Sequence, residues 1–254
     1  MPLAPFQTAR LKLKRASEHL ATLERELDAY TARGPIRIMT AVCKDDPTRF
    51  DFSFEATESV PLELSTVIGD FIHNLRTSLD LTACDVVALN KRSTKEVYFP
   101  FAKNADELSA RIKSKNFNRA HPDAVNLLVE FAPYKGGNLA LRGVHDLDVM
   151  DKHQALLPSA GSVGAPGMML MYESTEHIDG LIARGRASLE HAGHLPIGTM
   201  FPASFKLVFP KDGPFGELDM VPTLYRLLHY FSRVIDAFEA LALGQKPDVN
   251  AIKF

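Results

Sequence analysis

Over about the first thirty residues, apolar side chains recur at alternating steps of three and four positions, the repeat of one helix face. This repeat predicts a helix at about 5–33, and Gly34-Pro35 predicts its end. A similar repeat near the end of the sequence predicts a helix at about 221–243. The apolar positions of the first repeat are Phe6, Ala9, Leu13, Ala16, Leu20, Leu23, Leu27 and Tyr30.

Two further apolar stripes at helical spacing predict helices at about 61–90 and about 138–157. Pro61 suits the first turn of one of them, and Pro158 ends the other. Four amphipathic segments predict a bundle of long helices with their apolar faces inward. A coiled-coil dimer through the same seams is the alternative, and it makes a homodimer the candidate partner.

Two runs rich in β-branched and aromatic residues follow the first helix, within about 36–56. They are joined by the turn-like stretch 43–48, so the sequence predicts a β-hairpin. Further strand candidates at about 167–209 predict a small antiparallel sheet in the C-terminal half, although residues 174–200 are ambiguous. We therefore expect a mainly helical α+β fold and a single domain over residues 1–254.

Composition narrows the classes of function. The chain has 254 residues, 46% of them apolar, which is enough for a full core. Its formal net charge of -2 provides no global field for nucleic acid or an anionic membrane, so any such binding would have to be local. The sequence has two cysteines, no apolar run of about 20 residues and no signal-peptide pattern. These features favour a cytoplasmic protein without a membrane role.

A polar cluster lies on the helix predicted at about 61–90. Its members fall within roughly a third of the helix circumference. A solvated helix face is one interpretation, but the same sector continues into apolar Leu81, Cys84 and Val87, which predicts partial burial. Buried polar groups need partners, so a second polar cluster is expected. The first cluster comprises Asp70, His73, Arg76, Thr77 and Asp80.

The second cluster lies on the helix predicted at about 138–157. His145, Asp148 and Lys152 share a face at i, i+3 and i+7 spacing. Asp146 and His153 point elsewhere, and Asp151 lies at the edge. A plain ion-paired surface, with Asp148 and Lys152 as an i, i+4 pair, is the competing interpretation.

The two clusters combine residue types that suit three kinds of site. His and Asp side chains ligate divalent metals, and Asp70, His73 and His145 are the candidate ligands. His beside Asp also performs acid–base catalysis, while a guanidinium and an ammonium hold a phosphate group. A structural hydrogen-bond network is the third interpretation. The candidate catalytic residues are His73, His145, Asp80 and Asp148, and the candidate substrate-binding residues are Arg76 and Lys152.

The runs GDFIHNLRTSLDLTA and VHDLDVMDKHQALL resemble the two signature helices of a bacterial protein family to which no activity is assigned. In that family a GD-two-residues-HNLR-two-residues-LD helix precedes an LD-two-residues-DKH helix. The resemblance covers about residues 61–157 and the hairpin before them. It implies a shared fold and a shared polar centre, and nothing about substrate.

Two better-known helical families show only weak similarity. Arg186 and His191 stand at the spacing of the Arg and His pair of HEPN ribonucleases, in a Gly-rich stretch outside the clusters. His145-Asp146, with His73 upstream, partly matches the metal ligands of HD phosphohydrolases. Adjacent residues of a regular helix point about 100° apart, however, so this second match would need a bend.

No Gly-rich phosphate loop, nucleophile elbow or zinc-binding motif occurs in the sequence. The functional hypothesis therefore depends on the two polar clusters. We expect a hydrolase that acts on a phosphodiester or another phosphate ester, with a small phosphate-containing ligand and a divalent metal as the candidate cofactor. The alternative is a non-enzymatic helical scaffold or partner-binding protein with a buried salt-bridge network.

Overall fold

Helices dominate the computed structural model of this protein, as the sequence predicts. The structure describes residues 3–42, 49–56, 58–152, 159–165, 168–170, 184–188, 200–202, 204–216 and 218–254. The α-helices in that part of the chain are α1 (Gln7–Ala32), α2 (Glu63–Leu89), α3 (Ala105–Ser114), α4 (Pro122–Glu130), α5 (Leu139–Asp151) and α6 (Met220–Ala242). Short 3-10 turns lie at Phe117–Arg119 and Val249–Ala251.

The four long helices begin close to the predicted positions, and α1, α2 and α6 also end close to them, because local capping chemistry agrees with the apolar pattern. Gly34, which follows α1, has φ +66°, a left-handed conformation that glycine adopts without strain. Asn138 caps α5 by accepting a hydrogen bond from the amide of Leu141 at 3.0 Å. Helix α5 ends at Asp151, and the last part of the predicted helix, 153–157, lies outside the described residues.

The heptad seam of α1, apart from partly exposed Leu27, is buried within the chain itself. Ala9, Ala16 and Tyr30 are each 0% exposed, and Leu20 is 1% exposed. Since these apolar side chains are already removed from water, the seam stabilises the fold of one chain. This supports the bundle over a coiled coil between two chains.

Seven strands supplement the helices in the described residues. β1 pairs antiparallel with β2 from Ile36 opposite Ala56 to Val42 opposite Phe50. One sheet has the order β5-β2-β1-β6 and the other the order β4-β3-β7. The turn at 43–48 lies outside the described residues, so the complete hairpin stays a prediction. The strands are β1 (Ile36–Val42), β2 (Arg49–Ala56), β3 (Ser159–Ala165), β4 (Met168–Leu170), β5 (Arg184–Ser188), β6 (Met200–Pro202) and β7 (Ser204–Val208).

The chain divides into two compact units, each made of separated segments. The first comprises Met1–Thr22, Thr66–Leu156 and Pro222–Phe254, and the second comprises Leu23–Ser65 and Leu157–Val221. All candidate site residues lie in the first unit. The prediction of a single domain stays a prediction.

The first unit has an aromatic core around Phe238 of α6. Its ring centroid lies 6.3 Å from those of Phe99 and Phe117 and 5.9 Å from that of Phe131. All four side chains are almost completely buried. Rings at such distances add edge and tilted contacts to the hydrophobic gain, so this cluster anchors the loops that precede α3 and follow α4. No helix in the described ranges is long and apolar enough to cross a bilayer.

Candidate functional site

Helix α2 separates an apolar face from the predicted polar face. Leu64, Ile68, Leu75 and Leu79 on the apolar face are 0% exposed. Polar residues buried on that side bond to the backbone of their own helix, as when Asn74 donates to the carbonyl of Asp70 at 2.8 Å. The polar face therefore remains available for contacts with α5 and with the loop before α3.

On this face, His73 of α2 meets Asp148 of α5. His73 Nδ1 lies 2.9 Å from Asp148 Oδ1, and Lys152 Nζ donates to Asp148 Oδ2 at 2.6 Å. The side chain of Asp148 is only 6% exposed, whereas those of His73 and Lys152 are 54% and 55% exposed. A buried carboxylate thus holds two cationic or polar partners that face solvent. We call His73, Thr77, Asp148 and Lys152 the dyad cluster.

The ionisation of Asp148 sets the tautomer of His73. Burial by itself raises the pKa of Asp148, but the hydrogen bonds from Lys152 and His73 outweigh it and hold the pKa below its ordinary value. An ionised carboxylate accepts hydrogen bonds only, so His73 Nδ1 must carry the proton it donates. When the imidazole is neutral, Nε2 carries the lone pair and accepts a hydrogen bond from the hydroxyl of Thr77 at 3.3 Å, a neutral donor that can rotate away. This arrangement is suited to accepting a proton.

The other candidate residues of α2 form a separate cluster around Arg76. The Arg76 guanidinium carbon lies 4.6 Å from the ring centroid of Phe101, and its Nη1 lies 2.7 Å from Asp80 Oδ1. Nη1 is buried and has no hydrogen-bond partner, so its contact with Asp80 is an ion pair without hydrogen-bond geometry. The Arg76 side chain is only 11% exposed. We call Arg76, Asp80, Phe101 and His145 the Arg76 cluster.

His145 is packed against the ring of Phe101 in this second cluster. The two rings are stacked, with centroids 4.4 Å apart and planes inclined by 4°. Arg76 Nε donates to His145 Nδ1 at 3.4 Å. Burial, with the positive charges of Arg76 and Arg142, lowers the pKa of His145 to about 4. His145 is therefore neutral at pH 7, and one of its two nitrogens is already engaged.

Asp80 and Asp146 also have structural partners. Asp80 Oδ1 accepts a hydrogen bond from the amide of Phe99 at 2.8 Å, which ties the loop before α3 to α2. Asp146 forms a two-bond pair with Arg142, at 2.6 and 3.1 Å, and Arg142 also donates to the carbonyl of Ala102. The carboxylates of Asp80 and Asp146 are therefore already engaged in contacts within the fold.

Asp151 lies closer to the dyad cluster than the sequence indicates. A Cβ placed at Gly69 of α2 would come within 2.5 Å of Asp151 Oδ1, so this carboxylate rests against the α2 backbone. Burial, then the negative charges of Asp148 and Asp70, raises its pKa. The interpretation of Asp151 as an edge residue overlooked this contact. The signal was Gly69, a glycine inside a strong helix, where close approach of another chain segment is a common reason for glycine.

The structure does not assemble the predicted metal ligands. His73 lies in the dyad cluster and His145 in the Arg76 cluster, while Asp70 is exposed near the start of α2. Within the described ranges, no three His, Cys, Asp or Glu side chains are grouped so that they could hold a metal ion. His153 and His191 lie outside those ranges, so the HEPN-like pairing of Arg186 with His191 stays a prediction.

Comparison with protein-family models, with curated proteins and with solved structures returns no match. The case for function therefore depends on the geometry of the two clusters.

Proposed function

We propose that this protein is a hydrolase that acts on a phosphate ester or phosphodiester, with His73 as general base and Asp148 as its orienting carboxylate. One observation supports the proposal above all others: an almost completely buried Asp148 holds Nδ1 of a half-exposed imidazole at 2.9 Å. A carboxylate in this position selects the tautomer with an unprotonated Nε2 and stabilises the imidazolium formed on proton transfer.

In the proposed reaction, His73 Nε2 takes a proton from a water molecule as the water oxygen attacks phosphorus. The bond from phosphorus to the ester oxygen breaks, and His73 returns the proton to that oxygen. Lys152 supplies the positive charge for the anionic substrate, since its ammonium is 55% exposed and carries three donors. Asp148 remains ionised throughout.

The proposal changes the roles that the sequence suggested for three residues. Arg76 is nearly buried against Phe101, so we assign it to positioning α2 and the following loop, with no direct contact to substrate. His145 and Asp80 are engaged in the same cluster, and we leave them out of the reaction. We propose the cytoplasm as the compartment, and we assign no metal.

The test compares two His variants. His121 also lies beside a carboxylate, with Nδ1 3.3 Å from Asp123 Oδ2, but both side chains of that pair are 64% exposed. We expect hydrolysis of bis-p-nitrophenyl phosphate or p-nitrophenyl phosphate to fall at least about 100-fold in His73→Gln, the lower range for losing a general base. His121→Gln is the matched control and should keep the wild-type rate within about twofold.

Equal rates for wild type and His73→Gln on both substrates, with both proteins folded, would disprove the proposal. Metal analysis of the same preparations tests the predicted divalent metal directly.

The packing of the Arg76 cluster favours the alternative, a non-enzymatic scaffold. An arginine that stacks on Phe101, pairs with Asp80 and donates to His145 is the kind of network that gives a bundle one arrangement. If the dyad cluster serves the same purpose, His73→Gln and Asp148→Asn will lower the free energy of unfolding and no substrate will be turned over. Urea denaturation of both variants, together with turnover by the wild type, distinguishes the two functions.

A further inference from the structure

The stretch from Lys91 to Arg119 is strongly basic although the chain as a whole is not. It contains eight Lys and Arg residues and three Asp and Glu residues, in a protein of net charge -2. The remaining residues are correspondingly acidic. Global charge therefore conceals a local positive region, which is what a polyanion would recognise.

The fold brings the two ends of this stretch together. Arg119 Nη1 donates to the carbonyl oxygens of Ser93 and Lys95, at 3.1 and 3.0 Å. The amide of Tyr98 donates to the carbonyl of Lys115 at 3.1 Å. Cations that are far apart in sequence thus lie on one surface beside α3. We call it the basic surface, and it comprises Lys91, Arg92, Lys95, Lys113, Lys115 and Arg119.

The charges of the basic surface are not neutralised within the described part of the chain. None of its six cations forms an ion pair with a described carboxylate. Lys91, Arg92, Lys95 and Lys113 are exposed. Exposed Glu96 lies beside Lys95 but forms no ion pair with these cations. The remaining excess of positive charge is relieved by an anion such as phosphate.

Tyr98 gives the basic surface an aromatic side chain. It is 46% exposed, and Lys115 Nζ lies 5.2 Å from its ring centroid. An exposed ring flanked by cations provides stacking for an unpaired base while the cations follow the phosphates. No other large apolar side chain of residues 91–119 is exposed, so this stretch offers nothing more to insert into a lipid surface.

We propose that the basic surface binds single-stranded nucleic acid, with phosphates on the lysines and one base stacked on Tyr98. The proposal does not rest on the proposed hydrolase activity, because none of its residues belongs to the dyad cluster. Cys84, whose Sγ donates to the carbonyl of Val97 next to Tyr98, is 11 residues from His73 on α2, about 16 Å at 1.5 Å per residue, so the two sites are separable by mutation.

The test is fluorescence anisotropy with a fluorescein-labelled 12-nucleotide oligodeoxythymidine. Four phosphate contacts on a single strand predict about 50-fold weaker binding at 200 mM than at 50 mM salt. In Lys95→Glu/Lys113→Glu we expect at least about tenfold weaker binding at 50 mM salt and a shallower salt dependence. Lys14→Glu/Lys246→Glu reverses two exposed lysines elsewhere in the first unit and should leave binding within about twofold.

Tyr98 tests the strand assignment. Tyr98→Ala should weaken binding about tenfold, whereas Tyr98→Phe should restore it, since stacking requires only the ring. Equal binding of a duplex of the same length would overturn the assignment to single strands. Absence of binding at 50 mM salt, an equal loss in the control reversal, or binding only to vesicles containing phosphatidylserine would overturn the proposal.

Discussion

His73 and His145 lie on adjacent helices in the same unit, and each is close to carboxylates and cations, yet their environments are opposite. His73 is half exposed, with its Nδ1 on a buried Asp148. His145 is stacked on Phe101 beside Arg76, and its pKa is lowered to about 4. Identical residue types are thus half exposed to solvent at one position and packed against an aromatic ring at the other.

The difference lies in which partner is buried. In the dyad cluster the carboxylate is covered and the imidazole reaches solvent, so the charge of Asp148 orients a group that a substrate can approach. In the Arg76 cluster the guanidinium and the imidazole are covered together by an aromatic ring. A polar cluster on a helix face therefore indicates chemistry only after its exposed member is known.

Removing the carboxylate of Asp148 should have the largest effect. Asp148→Asn presents an amide that can donate to Nδ1, which favours the tautomer without a free Nε2. We expect hydrolysis to fall about 100- to 1,000-fold, or about 3 to 4 kcal/mol in the barrier. Steady-state rates measure this, with Asp146→Asn as the control. Comparable losses in both variants would contradict the distinction between the clusters.

Arg76→Met should lower stability and leave the reaction nearly unchanged. The substitution keeps an apolar stem on Phe101 but leaves Asp80, 28% exposed, without its cation. We expect the free energy of unfolding to fall by about 2 kcal/mol in urea denaturation. Arg10→Met is the control. It removes an arginine paired with Asp236 and Glu239, but that site is about 40% exposed, so the loss should stay below about 1 kcal/mol. Equal losses would show that burial does not set the difference.

The Arg76 cluster should also make stability depend on pH. The pKa of His145 is about 4 in the folded chain and 6.5 ordinarily, so the unfolded chain binds this proton first as pH falls. The free energy of unfolding should therefore fall between pH 6.5 and 4, by about 1.5 kcal/mol after allowance for partial exposure. Urea denaturation of wild type and His145→Gln at pH 7 and pH 4.5 measures the difference. A wild-type pH dependence that the variant fully retains would assign the effect to other groups.

Gly69→Ala should have the smallest effect. Alanine favours the interior of α2 by about 1 kcal/mol, but its Cβ meets the end of the Asp151 side chain, which must move. We expect the two contributions to cancel to within about 0.5 kcal/mol. In Asp151→Ala the contact is absent, so the same Gly69→Ala change should then stabilise by about 0.5 to 1 kcal/mol. A double-mutant cycle in urea measures this coupling.

Much of the architecture was accessible from the sequence. The seam of α1 and the apolar face of α2 have the spacing of a helix, and their burial follows from that spacing. The i, i+4 pair of Asp148 and Lys152 was also predictable, because both lie on one turn of the same helix face. The expected meeting of the two polar faces appears as the bond between His73 and Asp148.

The basic surface shows what the sequence left undetermined. Its lysines can be read from the sequence, but their grouping on one surface depends on the hydrogen bonds from Arg119 to the carbonyls of Ser93 and Lys95. No periodic pattern in the sequence encodes those bonds. Net charge averages over the chain and hides such a region.

The sequence by itself determines which polar residues share a face of α2 and which share a face of α5. Their division into an exposed dyad and a packed network was decided by tertiary structure. Phe101 comes from a loop outside both helices, and it covers Arg76 and His145 while His73 remains open to solvent. Helical spacing fixes direction within one element, whereas burial, and the pKa that follows from it, depends on what the rest of the chain places above that face.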